Sequence, residues 1–275
     1  EVDAFEKEWA TYCQQRYCVA CASGTDALML AASNYKGTFF IPVNACPFTA
    51  RAIERHNGYF VKDVDNRGHY SIDADTIPVL LYGKVPDDIH KAVVIDACQA
   101  HGWKPGFSSR ACTAWSFYPT KNLGAYGDAG AVTTNTQAYA VKMKEMAANW
   151  HSRMDEINAA VLRVKLKYLD MLNAKRLEIA NHYYDRLMSK VEFACGPDEQ
   201  TNHHIFAILV DRRDELQAYL KEHGIGTKVH YPEPLSPMPG GSRWAARTLS
   251  LPCYPNMSLE ALNYITDMIC SFIEK

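Results

Sequence analysis

Apolar residues recur along this chain in short bursts separated by polar turns, and the rhythm changes once, near residue 150. Residues 3–15 place Phe5, Trp9 and Tyr12 at helical spacing, which predicts a short amphipathic helix. A strand is expected at Tyr17–Ala22, then the turn Ser23-Gly24-Thr25, then a helix over Asp26–Ser33. Phe39–Val43 predicts a second strand, Thr49–His56 a second helix and Tyr59–Val64 a third strand. The runs at Pro78–Tyr82 and Ala92–Ile95 are continuous and apolar, as parallel strands covered on both faces are. Trp115–Tyr118 and Gly130–Thr134 add two more strands, so residues 15–150 predict an α/β unit with a mostly parallel sheet.

Beyond this point Gly and Pro disappear, and Arg153–Lys190 carries apolar residues at helical spacing. A long helix is expected here, with room for one break, bridging two units. Residues 191–275 read as α+β, with a strand at Ile205–Val210, a helix at Arg213–His223, a strand at Lys228–Tyr231 and a final helix from Ser258. The Pro/Gly-rich stretch 232–242 predicts a mobile loop lining a cleft. The expected division is a large α/β domain over 1–160, a bridging helix over 161–190 and a smaller α+β domain over 191–275.

Composition narrows the function without naming it. Hydrophobic residues make up 48% and charged residues 22%, an ordinary balance for a globular protein. The net charge of −2 comes without a basic run, which argues against nucleic acid or an anionic membrane as partner. No apolar run approaches the roughly 18 residues of a membrane span, and the acidic amphipathic start has no signal-peptide character. A cytoplasmic location is the expectation. The nine cysteines are scattered without a repeating frame. Cys18 and Cys21 form a CxxC, but they fall inside an apolar strand with no second ligand pair, so burial is expected ahead of metal or redox chemistry.

Three stretches carry candidate chemistry. In Trp115–Gly130, Lys121 stands among Ser116, Thr120 and Asn122 with Gly124, Gly127 and Gly130 following. Two readings fit: an amine held in a tight polar turn for Schiff-base chemistry, or a solvated surface lysine. At Ser23-Gly24-Thr25 a strand meets a helix start, where free N–H groups and the helix dipole favour an anion; a plain N-capped connection fits equally. Asp96, Gln99 and His101 follow a strand's carboxyl end, where ligands bind in open α/β sheets; a capping Asp and a packed His are the alternatives.

The order of these pieces resembles the DegT/DnrJ/EryC1/StrS sugar aminotransferases, pyridoxal-phosphate enzymes of fold type I. The resemblance rests on ASGTDALMLA at 22–31, VVIDACQAHG at 93–102, WSFYPTKNLGAYGDAGAVTTN at 115–135 and HSRMDEINAAVLRVKL at 151–166. GIGTKVHYPEPL and LSLPCYP extend it toward the C-terminus. It implies the cofactor pyridoxal 5′-phosphate, Lys121 as the Schiff-base and proton-carrying lysine, and Asp96 as partner of the ring nitrogen. It also implies Gln99 near the ring 3-hydroxyl, and Gly24, Thr25 and Ser116 on the phosphate. The family's Asn-Ser-Arg, whose asparagine reaches the phosphate across a homodimer interface, stands here as His151-Ser152-Arg153. His151 is therefore expected at the phosphate, and Arg153 at the amino donor's carboxylate. His230 and Tyr231 are expected on the sugar side.

Two further departures are visible. Cys46 occupies the place where the family carries an aromatic over the cofactor ring, with Phe48 two residues on, and the chain is shorter than its family, notably at 71–92 and 147–151. The implied activity is transfer of an amino group, from L-glutamate, to a keto-sugar carried on a nucleotide. A sugar dehydratase on the same fold carries histidine in place of the lysine. A non-catalytic cofactor-binding sensor is the rival from another class.

Overall fold

A computed structural model describes residues 1–275. The chain opens with helix α1 (Val2–Tyr12), which ends where Gln14 takes a positive φ of 55°. Phe5 and Trp9 are fully buried on its inner face, each contributing about 1.5–3 kcal/mol by leaving water. Strand β1 (Tyr17–Cys21) follows, then α2 (Gly24–Ala32), β2 (Thr38–Pro42), α3 (Pro47–Glu54) and β3 (Gly58–Lys62). Strands β4 (Val94–Asp96), β5 (Cys112–Ser116) and β6 (Gly130–Thr134) complete the larger sheet region.

The order is β1-β6-β5-β4 in one sheet and β2-β3 in another. The segment Thr76–Leu80 joins them by single parallel bridges, Phe40 to Thr76 and Val79 to Asp96. The run expected as a strand at Pro78–Tyr82 is thus only this bridge, followed by a 3₁₀ turn at Leu81–Gly83. The sheet is mixed, because β6 runs antiparallel to both β1 and β5. Its reversal follows from the loop between β5 and β6, which folds back so that Phe117 N–H donates to the Ala129 carbonyl at 2.7 Å.

Helix α2 is buried from Ala27 to Ala32, which accounts for its uninterrupted apolar run. Cys18 and Cys21 are buried free thiols, and burial raises both well above their ordinary range. No group of three or more His, Cys, Asp or Glu side chains is placed to hold a metal ion. No helix is long and apolar enough to cross a membrane.

After α4 (Gln137–Asn149), the expected long helix is two, α5 (Glu156–Leu166) and α6 (Leu169–Leu187), broken at Lys167 and Tyr168. A second antiparallel sheet forms from β7 (Glu192–Phe193), β8 (Phe206–Leu209) and β9 (Thr248–Leu251). Helices α6, α7 (Arg213–Glu222) and α9 (Leu259–Ile273) cover it through Tyr183, Leu220, Ile265 and their neighbours.

Two expectations fail in this region. Lys228–Tyr231 is not a strand; it keeps one bridge, Lys228 to Ser250, and Pro232 and Pro234 bar a ladder from continuing past it. The stretch 232–242 is not wholly loop, since α8 (Pro239–Arg247) begins within it. Asp63 caps that helix from across the fold, accepting Gly240 N–H at 3.0 Å and Gly241 N–H at 2.9 Å.

Candidate active site

Beyond the carboxyl ends of β4 and β5 lies a cavity of about 700 Å³. Gly24, Thr25, Asp96, Gln99, Ser116, Lys121, His230 and Tyr231 all line it. They arrive from four separate stretches of the chain.

The first corner is the start of α2. Ser23 caps the helix by accepting Asp26 N–H at 3.1 Å, so the N–H groups of Gly24 and Thr25 are the ones left for an anion. A Cβ on Gly24 would stand 2.5 Å from Ser116 Cβ and 2.9 Å from its Oγ. Only glycine lets the helix start approach Ser116 this closely, and the result is a cradle of two N–H groups and a hydroxyl. Such a donor set fits a phosphate.

The second corner is Asp96, 6% exposed at the end of β4. Thr49 donates its hydroxyl to Oδ2 at 2.8 Å, and Cys98 N–H donates to Oδ1 at 3.1 Å. Both partners are neutral, so no cation is bonded to this carboxyl group. Gln99 is fixed beside it, with Oε1 accepting Tyr82 N–H at 2.7 Å and Nε2 donating to the Tyr231 hydroxyl at 3.2 Å. The Tyr82 hydroxyl donates in turn to the His230 carbonyl.

Lys121 sits half-buried at the third corner, in a turn closed by its own N–H to the Tyr118 carbonyl at 2.9 Å. Gly124 is required there, because a Cβ would meet the Pro119 carbonyl oxygen at 2.4 Å. The imidazoles around this amine are held neutral. Burial, then the charges of Lys228 and Lys121, lower His230 to about 4. Burial likewise raises Tyr231 above its ordinary range, with the Cys46 thiol beside its hydroxyl adding to the effect.

Three expected residues stand elsewhere. His101 is fully buried among Trp9, Trp115 and Phe117, lowered to about 3 by burial and then by Lys121, and belongs to the core. His151 and Arg153 are exposed and line no part of their own chain's cavity. Ser152 between them is anchored, accepting Ala22 N–H at 3.1 Å and donating to Asp26 at 2.7 Å. That anchor fixes the pair beside α2 with both side chains facing outward.

Other cavity residues escaped the sequence reading. Thr49 and Cys98 touch Asp96, and His204 comes from the segment before β8. The only signal for His204 is the pair His203-His204 ahead of an apolar strand, and its twin is core: His203 packs on Tyr184 and Phe206. Cys46 and Phe48 both line the cavity, the latter 58% exposed.

The family model of DegT/DnrJ/EryC1/StrS aminotransferases matches residues 1–78 and 82–270. The erythromycin biosynthesis sensory transduction protein EryC1 of Saccharopolyspora erythraea is 34% identical, over 96% of this chain and 88% of its own length. The dTDP-3-amino-3,4,6-trideoxy-alpha-D-glucose transaminase of Streptomyces venezuelae is 31% identical, over 100% of this chain and 88% of its own. The crystal structure of S. venezuelae DesV in complex with a ketimine intermediate superposes with a TM-score of 0.89 at 30% identity, covering 99% of this chain and 89% of that one.

The alignment with EryC1 spreads 96% of these 275 residues, about 264, over 323 positions, leaving about 59 (323 − 264) opposite gaps. The chain is therefore internally shorter than this relative, and the model's unmatched residues 79–81 fall within the stretch where shortening is expected. Fold, cavity and likeness converge, and the chain belongs to the DegT/DnrJ/EryC1/StrS aminotransferase family.

Proposed function

We infer that this chain is a pyridoxal-phosphate-dependent aminotransferase that moves an amino group from L-glutamate onto a keto-sugar carried on a nucleotide. The observation that carries the reading is the meeting of Lys121, an Asp96 held only by neutral donors, and the Gly24–Thr25–Ser116 cradle in one cavity. Bound pyridoxal phosphate supplies an electron-withdrawing ring that stabilises a carbanion at the substrate carbon.

The chain's residues do the rest. The N–H groups of Gly24 and Thr25 and the Ser116 hydroxyl would hold the phosphate, and the Asp96 carboxylate would hold a proton on the ring nitrogen. Gln99 lies next to Asp96, where its amide would meet the ring's 3-hydroxyl edge. The Lys121 amine would take a proton from the substrate carbon and return it one atom away. His230 and Tyr231, the latter held by Gln99, would face the sugar.

A homodimer completes the site in this reading. His151 and Arg153 are exposed outside their own chain's cavity, so in this reading they serve the cavity of a second copy, His151 at the phosphate and Arg153 at the donor carboxylate. The same reading takes 1–160 and 191–275 as two domains joined by 161–190, with the cavity between them, in the cytoplasm.

An absorbance spectrum of the purified protein supplied with pyridoxal phosphate tests the proposal. A visible band lost in Lys121→Ala, bleached by glutamate, and restored by a nucleotide-linked ketosugar is the expected result. Restoration by 2-oxoglutarate alone among 2-oxo acids completes the pattern. Absence of any band sinks the reading, and a band that glutamate leaves untouched points to a sensor. Sedimentation at 30.9 kDa, one chain's mass, would remove the shared-site part.

A further inference from the structure

His204 lines the cavity but has no part in the mechanism above, and the hydrogen bonds behind it determine what it can do. The His101 carbonyl can only accept, so the Asn173 atom 2.8 Å from it is Nδ2. Asn173 Oδ1 then faces Asn122, whose Nδ2 donates to it at 2.8 Å and to the Asn202 carbonyl at 3.3 Å. This leaves Asn122 Oδ1 turned to His204 Nδ1 at 3.0 Å. An amide oxygen only accepts, so Nδ1 carries the hydrogen and, in a neutral ring, Nε2 is a bare acceptor.

A second lock fixes the backbone. Asn202 Nδ2 donates to the carbonyls of Gln99 and His101, both at 2.9 Å, and its Oδ1 accepts His204 N–H at 2.9 Å. Burial, followed by the Lys121 charge, presses the ring further toward its neutral form. His204 also lines a shallower groove of about 290 Å³ along Gly226–His230, so it stands where the two spaces meet.

We propose that His204 is a ligand-binding residue whose Nε2, fixed as an acceptor, takes a hydrogen bond from a hydroxyl or amine of the sugar substrate. The substrate class rests on the aminotransferase reading; the tautomer does not. A carboxylate at the same point would set acceptor against acceptor, so the ring favours a hydroxyl or amine there.

Long-range proton–nitrogen correlation spectra of the full chain with ¹⁵N-labelled histidine provide the test, with His204 assigned by its loss in His204→Asn. Without ligand, a protonated Nδ1 and a bare Nε2 are expected at neutral pH; an Nε2–H tautomer or a charged ring overturns the proposal. In protein supplied with pyridoxal phosphate, millimolar dTDP-glucose or UDP-glucose is expected to move Nε2 toward a hydrogen-bonded position. 2-Oxoglutarate, which has no donor, is expected to leave it in place.

No movement with either sugar nucleotide, or equal movement with 2-oxoglutarate, also overturns it. His204→Asn keeps an amide donor toward Asn122 and removes Nε2. It is expected to weaken binding of the responding sugar nucleotide about two- to tenfold, and unchanged binding counts against the role. Absorbance of the same samples separates the failures. With the cofactor band present, a silent His204 defeats this proposal alone; without the band the aminotransferase reading fails while the tautomer is still read.

Discussion

The cavity around Lys121 and a second cavity of about 460 Å³ around Glu199 are both walled by an N-terminal stretch on one side and a C-terminal stretch on the other. In the second, cations meet the carboxylate directly. Glu199 receives Lys84 at 2.6 Å, Arg67 at 3.3 Å and the Gly196 N–H at 2.6 Å. In the first, Asp96 takes neutral donors and the neighbouring imidazoles are uncharged. A carboxylate saturated by cations serves the fold, whereas one kept free of them can serve a ligand.

Lys121→Ala is the strongest way to break that contrast. It is expected to lower amino transfer by ~10²–10⁴-fold or more, read as the rate at which glutamate is converted to 2-oxoglutarate, since the proton carrier is gone. Asp96→Asn keeps the shape and removes the charge, with an expected loss of ~10²–10³-fold in kcat. Equal activity in that variant would show that the carboxylate's freedom from cations has no chemical purpose. Gly24→Ala pushes a methyl into Ser116 and is expected to weaken cofactor loading by about tenfold, measured by absorbance titration, through an overpacking cost of about 1–3 kcal/mol.

Glu199→Gln tests the other cavity. Unfolding stability in urea is expected to fall by about 1–3 kcal/mol with the cofactor band unchanged, because buried donors lose a charged acceptor. Its pH signature has a defined sign. Burial pushes the Glu199 carboxyl up, but the Lys84 hydrogen bond, the Gly196 N–H and the Arg67 charge together hold it below its ordinary 4.5. The stabilisation is therefore complete above pH 4.5 and drains as pH falls through the lower folded value. Glu199→Gln should flatten that acid limb. The buried histidines act earlier: His101 and His230, lowered to about 3 and about 4, are expected to withdraw stability as pH falls from 6.5 toward those values.

What could be read from the sequence follows how local each arrangement is. The lysine turn is written in consecutive residues, since Tyr118, Pro119 and Gly124 shape it themselves. Asp96 was visible because a strand's carboxyl end marks a ligand position, and Gly24 because a helix start marks an anion position. Helix α8 was hidden because its cap, Asp63, lies 177 and 178 residues from the glycines it holds. His204 was hidden for the same reason: its orientation depends on Asn122, Asn173 and Asn202, none of which is legible as its partner without the fold. Strand β9 is four residues long, too short for an alternating pattern to stand out.

The bridge between Val79 and Asp96 has a mechanical consequence. Asp96 donates its N–H to the Pro78 carbonyl and accepts Leu80 N–H, so its backbone helps hold the two halves of the sheet at a seam of single rungs. The residue whose carboxylate faces the cavity is thus also a rivet. Local opening of the sheet is expected to start there, with the amides of Leu80 and Asp96 exchanging before those of β5 and β6. Any ligand that tightens on Asp96 would close that seam and make the whole chain harder to pull apart.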